Sequence, residues 1–134
     1  MQLRIIDFGL SKMVERTSDA QLVLGTPYYL APEVFNMEGR NEAYNKPLDC
    51  WSAGILMYLL FAGEFPFRPP DLNDKICSER VDFGGPRWQN VSAQAKALIR
   101  SLLTKEPQYR FNARNALDHA FFDSIRQEEN TQLE

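Results

Sequence analysis

Two copies of one triplet, Asp7-Phe8-Gly9 and Asp82-Phe83-Gly84, stand out in this sequence for the chemistry they can do. A carboxylate at the end of a strand, with glycine letting the backbone turn, can offer oxygens to Mg2+ and to nucleotide phosphates. One such triplet is a weak signal, so context must separate the two copies. The first follows the strand-like run Leu3-Arg4-Ile5-Ile6 and precedes a long loop that ends in Ala31-Pro32-Glu33. The second runs straight into Gly85-Pro86-Arg87-Trp88. Asp7 therefore carries the metal reading, while Asp82 reads as a surface turn with Phe83 tucked into the core. Other catalytic classes are poorly supplied. His119 is the single histidine, so a zinc cluster or a Ser-His-Asp triad is a poor fit. Cys50 lies in an apolar run and Cys77 in a polar one, which reads as two free thiols in a reducing compartment.

The elements that must position these residues are mostly helical. Leu3–Ile6 reads as a short strand, and residues 7–30 as a long loop with Gly25 and Pro27 near its end. Pro32-Glu33-Val34-Phe35 reads as a short helix with proline in its first turn. Residues 37–45 read as loop. Pro47-Leu48-Asp49 opens the strongest helix, apolar nearly all round and hence expected to be central, through about Ala62, with Gly63 as its stop. Residues 71–80 form a further helix candidate. Ser92 is expected to cap a helix over 93–103, and Asn112 one over 113–117. Residues 123–134 read as a polar, mildly acidic tail.

Composition sets the limits. The chain has 134 residues, 44% hydrophobic and 25% charged, which excludes wholesale disorder and collagen-like sequence. A compact chain of that size buries roughly two-thirds of its unfolded surface, so a core without disulfides is attainable. Lys plus Arg number 15 against 18 Asp plus Glu, a net charge of −3, with no global attraction to nucleic acid or to an anionic membrane. The longest apolar run, residues 55–62, is too short to span a bilayer.

The order of four motifs carries a resemblance. Asp7-Phe8-Gly9 and then Gly25-Thr26-Pro27-Tyr28-Tyr29-Leu30-Ala31-Pro32-Glu33 resemble the two ends of a protein-kinase activation segment. Asp49-Cys50-Trp51-Ser52-Ala53-Gly54 resembles the D-x-W-S-x-G opening of that family's central C-lobe helix, and Glu106-Pro107-Gln108-Tyr109-Arg110 its late x-P-x-x-R motif. His119-Ala120-Phe121-Phe122 is similar to the stretch near the domain end. Gly25-Thr26-Pro27-x-Tyr29 resembles serine/threonine rather than tyrosine kinases. The stretch from Asp82-Phe83 through Trp88 to Ile99 resembles the calcium/calmodulin-dependent and calcium-dependent group, in which the second triplet is structural.

The resemblance implies a mainly α fold, a kinase-like C-lobe helical bundle over residues 1–122 with a short strand at its start and the N-lobe absent. It implies that Asp7, with Phe8 and Gly9, ligates Mg2+ bridging ATP phosphates, and that Thr26 lies near the transferred phosphate and the substrate hydroxyl. Gly25, Thr26, Pro27, Tyr28, Tyr29 and Leu30 would form the pocket for the residue after the phosphoacceptor. Glu33 and Arg110 would make a buried salt bridge. Asp49 would anchor the catalytic loop, and Trp51 is core rather than a ligand contact.

These 134 residues contain no glycine-rich loop, no strand lysine paired to a helix glutamate and no H-R-D catalytic loop. The general base is therefore not in this sequence, and the chain alone is expected to be inactive and to bind ATP and Mg2+ weakly at best. The expected partners are protein substrates with Ser or Thr acceptors and the missing N-lobe, in an intracellular, cytoplasmic setting, with no nucleic acid and no membrane. No D-x-D-x-D-G loop marks an EF-hand, and the tail is not a basic calmodulin target. Where many family members carry a phosphorylatable threonine three residues before the loop's terminal glycine, this chain has Leu22; Thr17 and Ser18 read as plain solvated loop residues. An alternative reading is a non-catalytic protein-binding module built from a kinase C-lobe. In either case, apolar surface near Phe8 is expected to lie uncovered and to leave the isolated domain marginal or aggregation-prone.

Overall fold

A sixteen-residue helix organises the molecule, α2 (Pro47–Ala62), and the other elements assemble against one of its sides. The computed structural model describes residues 4–9, 11, 26–35, 47–123 and 126–127. Along these run α1 (Pro32–Phe35), α2, α3 (Leu72–Ser78), α4 (Ala93–Leu102) and α5 (Ala113–Leu117). Three single 3-10 turns, Pro27–Tyr29, Pro86–Trp88 and Ala120–Phe122, lie between and after them.

Local chemistry explains the boundaries. Pro47 begins α2 where its missing N–H costs nothing, and Asp49 sits in the first turn, where a negative charge is favourable. Gly63 ends the helix at φ 69°, a left-handed backbone that glycine adopts without strain, and its N–H reaches Leu59 O at 2.7 Å. Ser92 caps α4 by accepting the Ala95 N–H at 3.1 Å. Asn112 caps α5 by accepting the Asn115 N–H at 2.9 Å.

The core forms where α2 meets α4. Trp51, Ile55, Tyr58 and Ala62 of α2 join Ala31, Phe67, Ile76, Trp88, Ile99 and Leu103 in one buried cluster. Cys50, Leu98 and Leu102 form a second, flanked by Phe111, Phe121 and Phe122. Burial of each large apolar side chain contributes about 1.5–3 kcal/mol against chain entropy. The two helices approach so closely at Gly54 that a Cβ there would lie 2.9 Å from Leu102 Cβ and 2.8 Å from Leu103 Cδ2. Beyond α4, Arg126 donates to His119 O at 3.3 Å and to Leu117 O, so the start of the polar tail turns back on α5.

The structure differs from the sequence expectations in four places. Residues 4–6 are not a strand. Ile5 and Ile6 are 82% and 80% exposed, because an extended segment becomes a strand only when another pairs with it, and the described residues offer none. The α2 helix is not buried all round: Leu56, Leu60 and Phe61 are exposed, since the packed elements cover one side of it. The third helix is shorter than 71–80, ending at Ser78 with Glu79 already extended. Ser92 and Asn112 cap as expected, although α4 stops at Leu102 with Leu103 as its cap.

Candidate functional site

The segment from Thr26 to Phe35 is the best-anchored part of the candidate site. Thr26 is exposed and extended (φ −75°, ψ 125°), and its carbonyl accepts the Tyr29 N–H at 3.0 Å, starting the Pro27–Tyr29 turn. Ser52 Oγ, on the first turns of α2, reaches Tyr29 O at 3.0 Å and Leu48 O at 3.3 Å. The Tyr28 ring stacks on Phe65 at 4.6 Å, and Tyr29 meets the same ring edge-on at 5.4 Å. Phe65 lies just past the end of α2, so both ends of that helix hold the turn. Tyr28, Tyr29 and Leu30 are half-buried.

Past the turn, Glu33 on α1 meets Arg110. The guanidinium donates to both carboxylate oxygens, Nη1 to Oε1 at 2.7 Å and Nη2 to Oε2 at 2.8 Å. Its other three N–H groups go to Thr104 O at 2.8 Å, Pro47 O at 3.0 Å and Lys105 O at 3.1 Å. All five donors of a fully buried guanidinium are thus satisfied, which is the condition under which such a charge is tolerable in a core. The Trp51 ring lies 5.1 Å from the guanidinium carbon. Arg110 therefore joins α1, the start of α2 and the end of α4 at one point.

The Asp7 triplet is built otherwise. Asp7 takes a left-handed backbone, φ 65°, and its Oδ1 accepts the Gly9 N–H at 3.3 Å. Ser11 closes the turn by donating its hydroxyl to Phe8 O at 2.7 Å. The triplet is exposed, with Phe8 at 67%. The second triplet makes the same Asp-to-glycine turn, Gly84 N–H to Asp82 Oδ1 at 2.8 Å. It differs in what surrounds it: Phe83 packs edge-on against Trp88 at 4.6 Å, Arg100 lies over its ring at 4.6 Å, and Tyr58 donates to Asp82 O at 3.0 Å. One local motif is thus anchored in the core and the other stands in solvent.

Asp49 is exposed on the first turn of α2. Among the described residues, no group of three acidic, histidine or cysteine side chains could enclose a metal ion. Asp7 could offer one carboxylate to Mg2+ beside phosphate oxygens, an ordinary way for that ion to bind. Gly25, Leu22, Thr17 and Ser18 lie outside the described residues. The structure thus brings Thr26–Leu30 to α2 and Glu33 to Arg110, which lies over Trp51, while among the described residues the hydrogen bonds of the Asp7 triplet stay within residues 7–11.

The sequence reading passed over Ser52, Phe65 and Lys105 as site-forming residues. Ser52 stood inside a motif already quoted, but its bond to a carbonyl 23 positions earlier has no sequence signal. Lys105 follows α4 and donates to Ile76 O, with Nζ 4.2 Å from the Phe67 ring centre and 5.1 Å from that of Trp51. Burial pulls its pKa down from 10.5 to about 8.

The profile of the protein kinase domain matches residues 1–122. The chain belongs to the protein kinase family. Along its whole length it is 35% identical to DNA damage response protein kinase DUN1 of Saccharomyces cerevisiae, of which it covers 26%. Calcium-dependent protein kinase 12 of Oryza sativa subsp. japonica is 41% identical over 87% of the chain, and 22% of that relative is covered. Myosin light chain kinase A of Dictyostelium discoideum is 38% identical over 92% of the chain, with 42% of it covered. These kinase relatives, a calcium-dependent kinase among them, accord with the motif resemblance. The chain spans about a quarter of DUN1, and less than half of each of these relatives. Among the described residues no helix is long and apolar enough to cross a membrane.

Proposed function

We propose that this chain is the activation-segment and C-lobe portion of an intracellular serine/threonine protein kinase, and that its 134 residues do not catalyse phosphotransfer by themselves. The complete enzyme would move the ATP γ-phosphate to Ser or Thr hydroxyls of proteins. The observation that carries this reading is the anchoring of Thr26–Glu33 to α2 and Arg110, while Asp7 stands exposed and no group of three metal-ligating side chains occurs among the described residues.

Each residue has a role in that scheme. Thr26 is presented to solvent where a substrate hydroxyl would approach. Tyr28, Tyr29 and Leu30 form the surface that meets the residue after it, with Gly25 completing the pocket. Asp7, supported by Phe8 and Gly9, would hold the metal of a Mg-ATP complex, and Asp49 would anchor the catalytic loop. Mg2+, when bound, offsets the charge on the phosphate oxygens. Proximity and electrostatic stabilisation need groups that this sequence does not contain, so a single carboxylate is not expected to yield turnover.

The test is phosphotransfer from radiolabelled ATP with Mg2+ to a mixed Ser/Thr peptide set by the 134-residue chain. No incorporation above background is expected. Incorporation that survives Asp7→Ala would overturn this account of the site. The second reading, a non-catalytic binding module, draws on the same anchored turn, because Tyr28 and Phe65 are stacked in a chain that lacks a catalytic loop. The coding sequence before Met1 discriminates the two: an in-frame H-R-D loop and glycine-rich loop support the kinase portion, and a stop codon supports the module.

A further inference from the structure

Away from the Thr26 turn, one cluster brings two nucleophiles together. Cys77 lies in the last turn of α3, half-buried, its Sγ 3.9 Å from Pro32 O on α1. Lys105 comes in from the end of α4, and its Nζ donates to Ile76 O, the carbonyl of the residue directly before Cys77. The amine therefore reaches the backbone directly before the thiol-bearing residue, from a segment 28 positions distant in sequence. Each is also the strongest charge influence on the other. The remaining charges that act on the pair are Glu79, Glu106 and Arg110 on Lys105, and Asp74 and Glu33 on Cys77.

We propose that Cys77 and Lys105 form an acyl-relay modification site, in which an acyl thioester first acylates Cys77 and the acyl group then passes to Lys105. In the first step the Cys77 thiolate attacks the thioester carbonyl, the new C–S bond forms, and the carrier leaves as its thiolate. In the second the neutral Lys105 amine attacks the Cys77 thioester. The C–N bond forms, the C–S bond breaks, Cys77 regains its thiolate, and the nitrogen gives one proton to solvent. Nothing is oxidised or reduced, and the only co-reactant is the thioester.

The surroundings favour the second step. With its pKa at about 8, roughly half of Lys105 is free amine at pH 8, against under ~1% of an ordinary lysine. Burial pushes the Cys77 thiol up while the Lys105 charge pulls it back, so the first step quickens with pH. Acylation would remove the charge that lies over Trp51 and Phe67 beside Arg110.

The test treats the reduced 134-residue chain with acetyl-coenzyme A at pH 8 and follows each lysine by peptide mass spectrometry. Lys75 and Lys96 are internal standards; Lys75 is two residues from Cys77 but donates to Arg68 O instead. Acetylation at Lys105 is expected at least about tenfold faster than at either, in line with its larger free-amine fraction. Cys77→Ser and Cys77→Ala should slow Lys105 acetylation severalfold, leaving only direct attack by an amine that burial still keeps partly neutral. Lys105→Arg should accumulate a hydroxylamine-labile acetyl group on Cys77. Unfolding in urea should erase the wild-type preference, a readout that needs no variant to fold. Lys105 acetylation at an undiminished rate in Cys77→Ser, or no faster than at Lys75 in the folded wild type, would overturn the proposal.

Discussion

Glu33 and Arg110, 77 positions apart, meet as a two-pronged ion pair in which the guanidinium is wholly buried and the carboxylate side chain 18% exposed. This asymmetry makes the two partners unequal under mutation. Glu33→Ala strands a buried charge, and about 3–5 kcal/mol of unfolding free energy should be lost. Arg110→Met leaves a carboxylate that water can reach, so it should cost less through that charge, although Thr104, Pro47 and Lys105 lose a donor. Arg110→Lys should not rescue, since a point ammonium has three donors where five are used. Urea denaturation of the single and double variants gives the coupling; additive losses would show that the pair does not act as a unit.

The two triplets should separate cleanly in stability. Phe83 packs on Trp88 and beneath Arg100, so Phe83→Ala should cost about 2 kcal/mol, below the range for a fully buried phenylalanine. Phe8 is 67% exposed, and Phe8→Ala should change stability by less than about 0.5 kcal/mol. Thermal melts of the two variants against the wild type check this. A larger loss at Phe8 would mean that its ring packs in solution.

Gly54→Ala tests the α2–α4 contact. Alanine gains roughly 1 kcal/mol over glycine within a helix. The added methyl would lie 2.9 Å from Leu102 Cβ, an atom fixed to the backbone, and overpacking typically costs about 1–3 kcal/mol. The clash should win, giving a net loss of about 1 kcal/mol by denaturant titration. A stabilised variant would mean that the helices part without cost.

Lys105 predicts a pH dependence of known sign. Its pKa is about 8 in the folded chain and 10.5 ordinarily, so between these values the unfolded chain holds more protons. Stability should therefore rise as pH increases from about 8, and the burden of the buried ammonium is fully present below that. Cys50, Cys77 and Tyr58 act oppositely: burial raises their pKa values, so from about pH 9 the unfolded chain sheds their protons first and stability falls. The expected profile, measured under reducing conditions, climbs from pH 8 to 9 and then flattens. Lys105→Met should remove the climb and keep the decline.

Much of the fold was legible along the chain. Proline and aspartate at the start of α2, glycine at its end, and Ser92 and Asn112 before α4 and α5 act within one or two turns, and such signals are written in adjacent residues. The contrast between the triplets was legible too, because a long loop follows the first copy while Gly85-Pro86-Arg87-Trp88 follows the second at once. The strand at residues 4–6 was misread because a strand is a relation between two segments. The burial of α2 was overread because an apolar helix states only what it can bury, whereas its neighbours decide which side is covered.

The sequence by itself determined the family, through the order and spacing of four motifs, and with it the mainly helical class. Only the tertiary structure decided which residues act together. Ser52 reaching Tyr29 O, Arg110 spending all five donors at one junction, and Lys105 reaching Ile76 O are all contacts between distant segments. Their geometry is set by how α1, α3 and α4 pack around α2, and no local propensity encodes it.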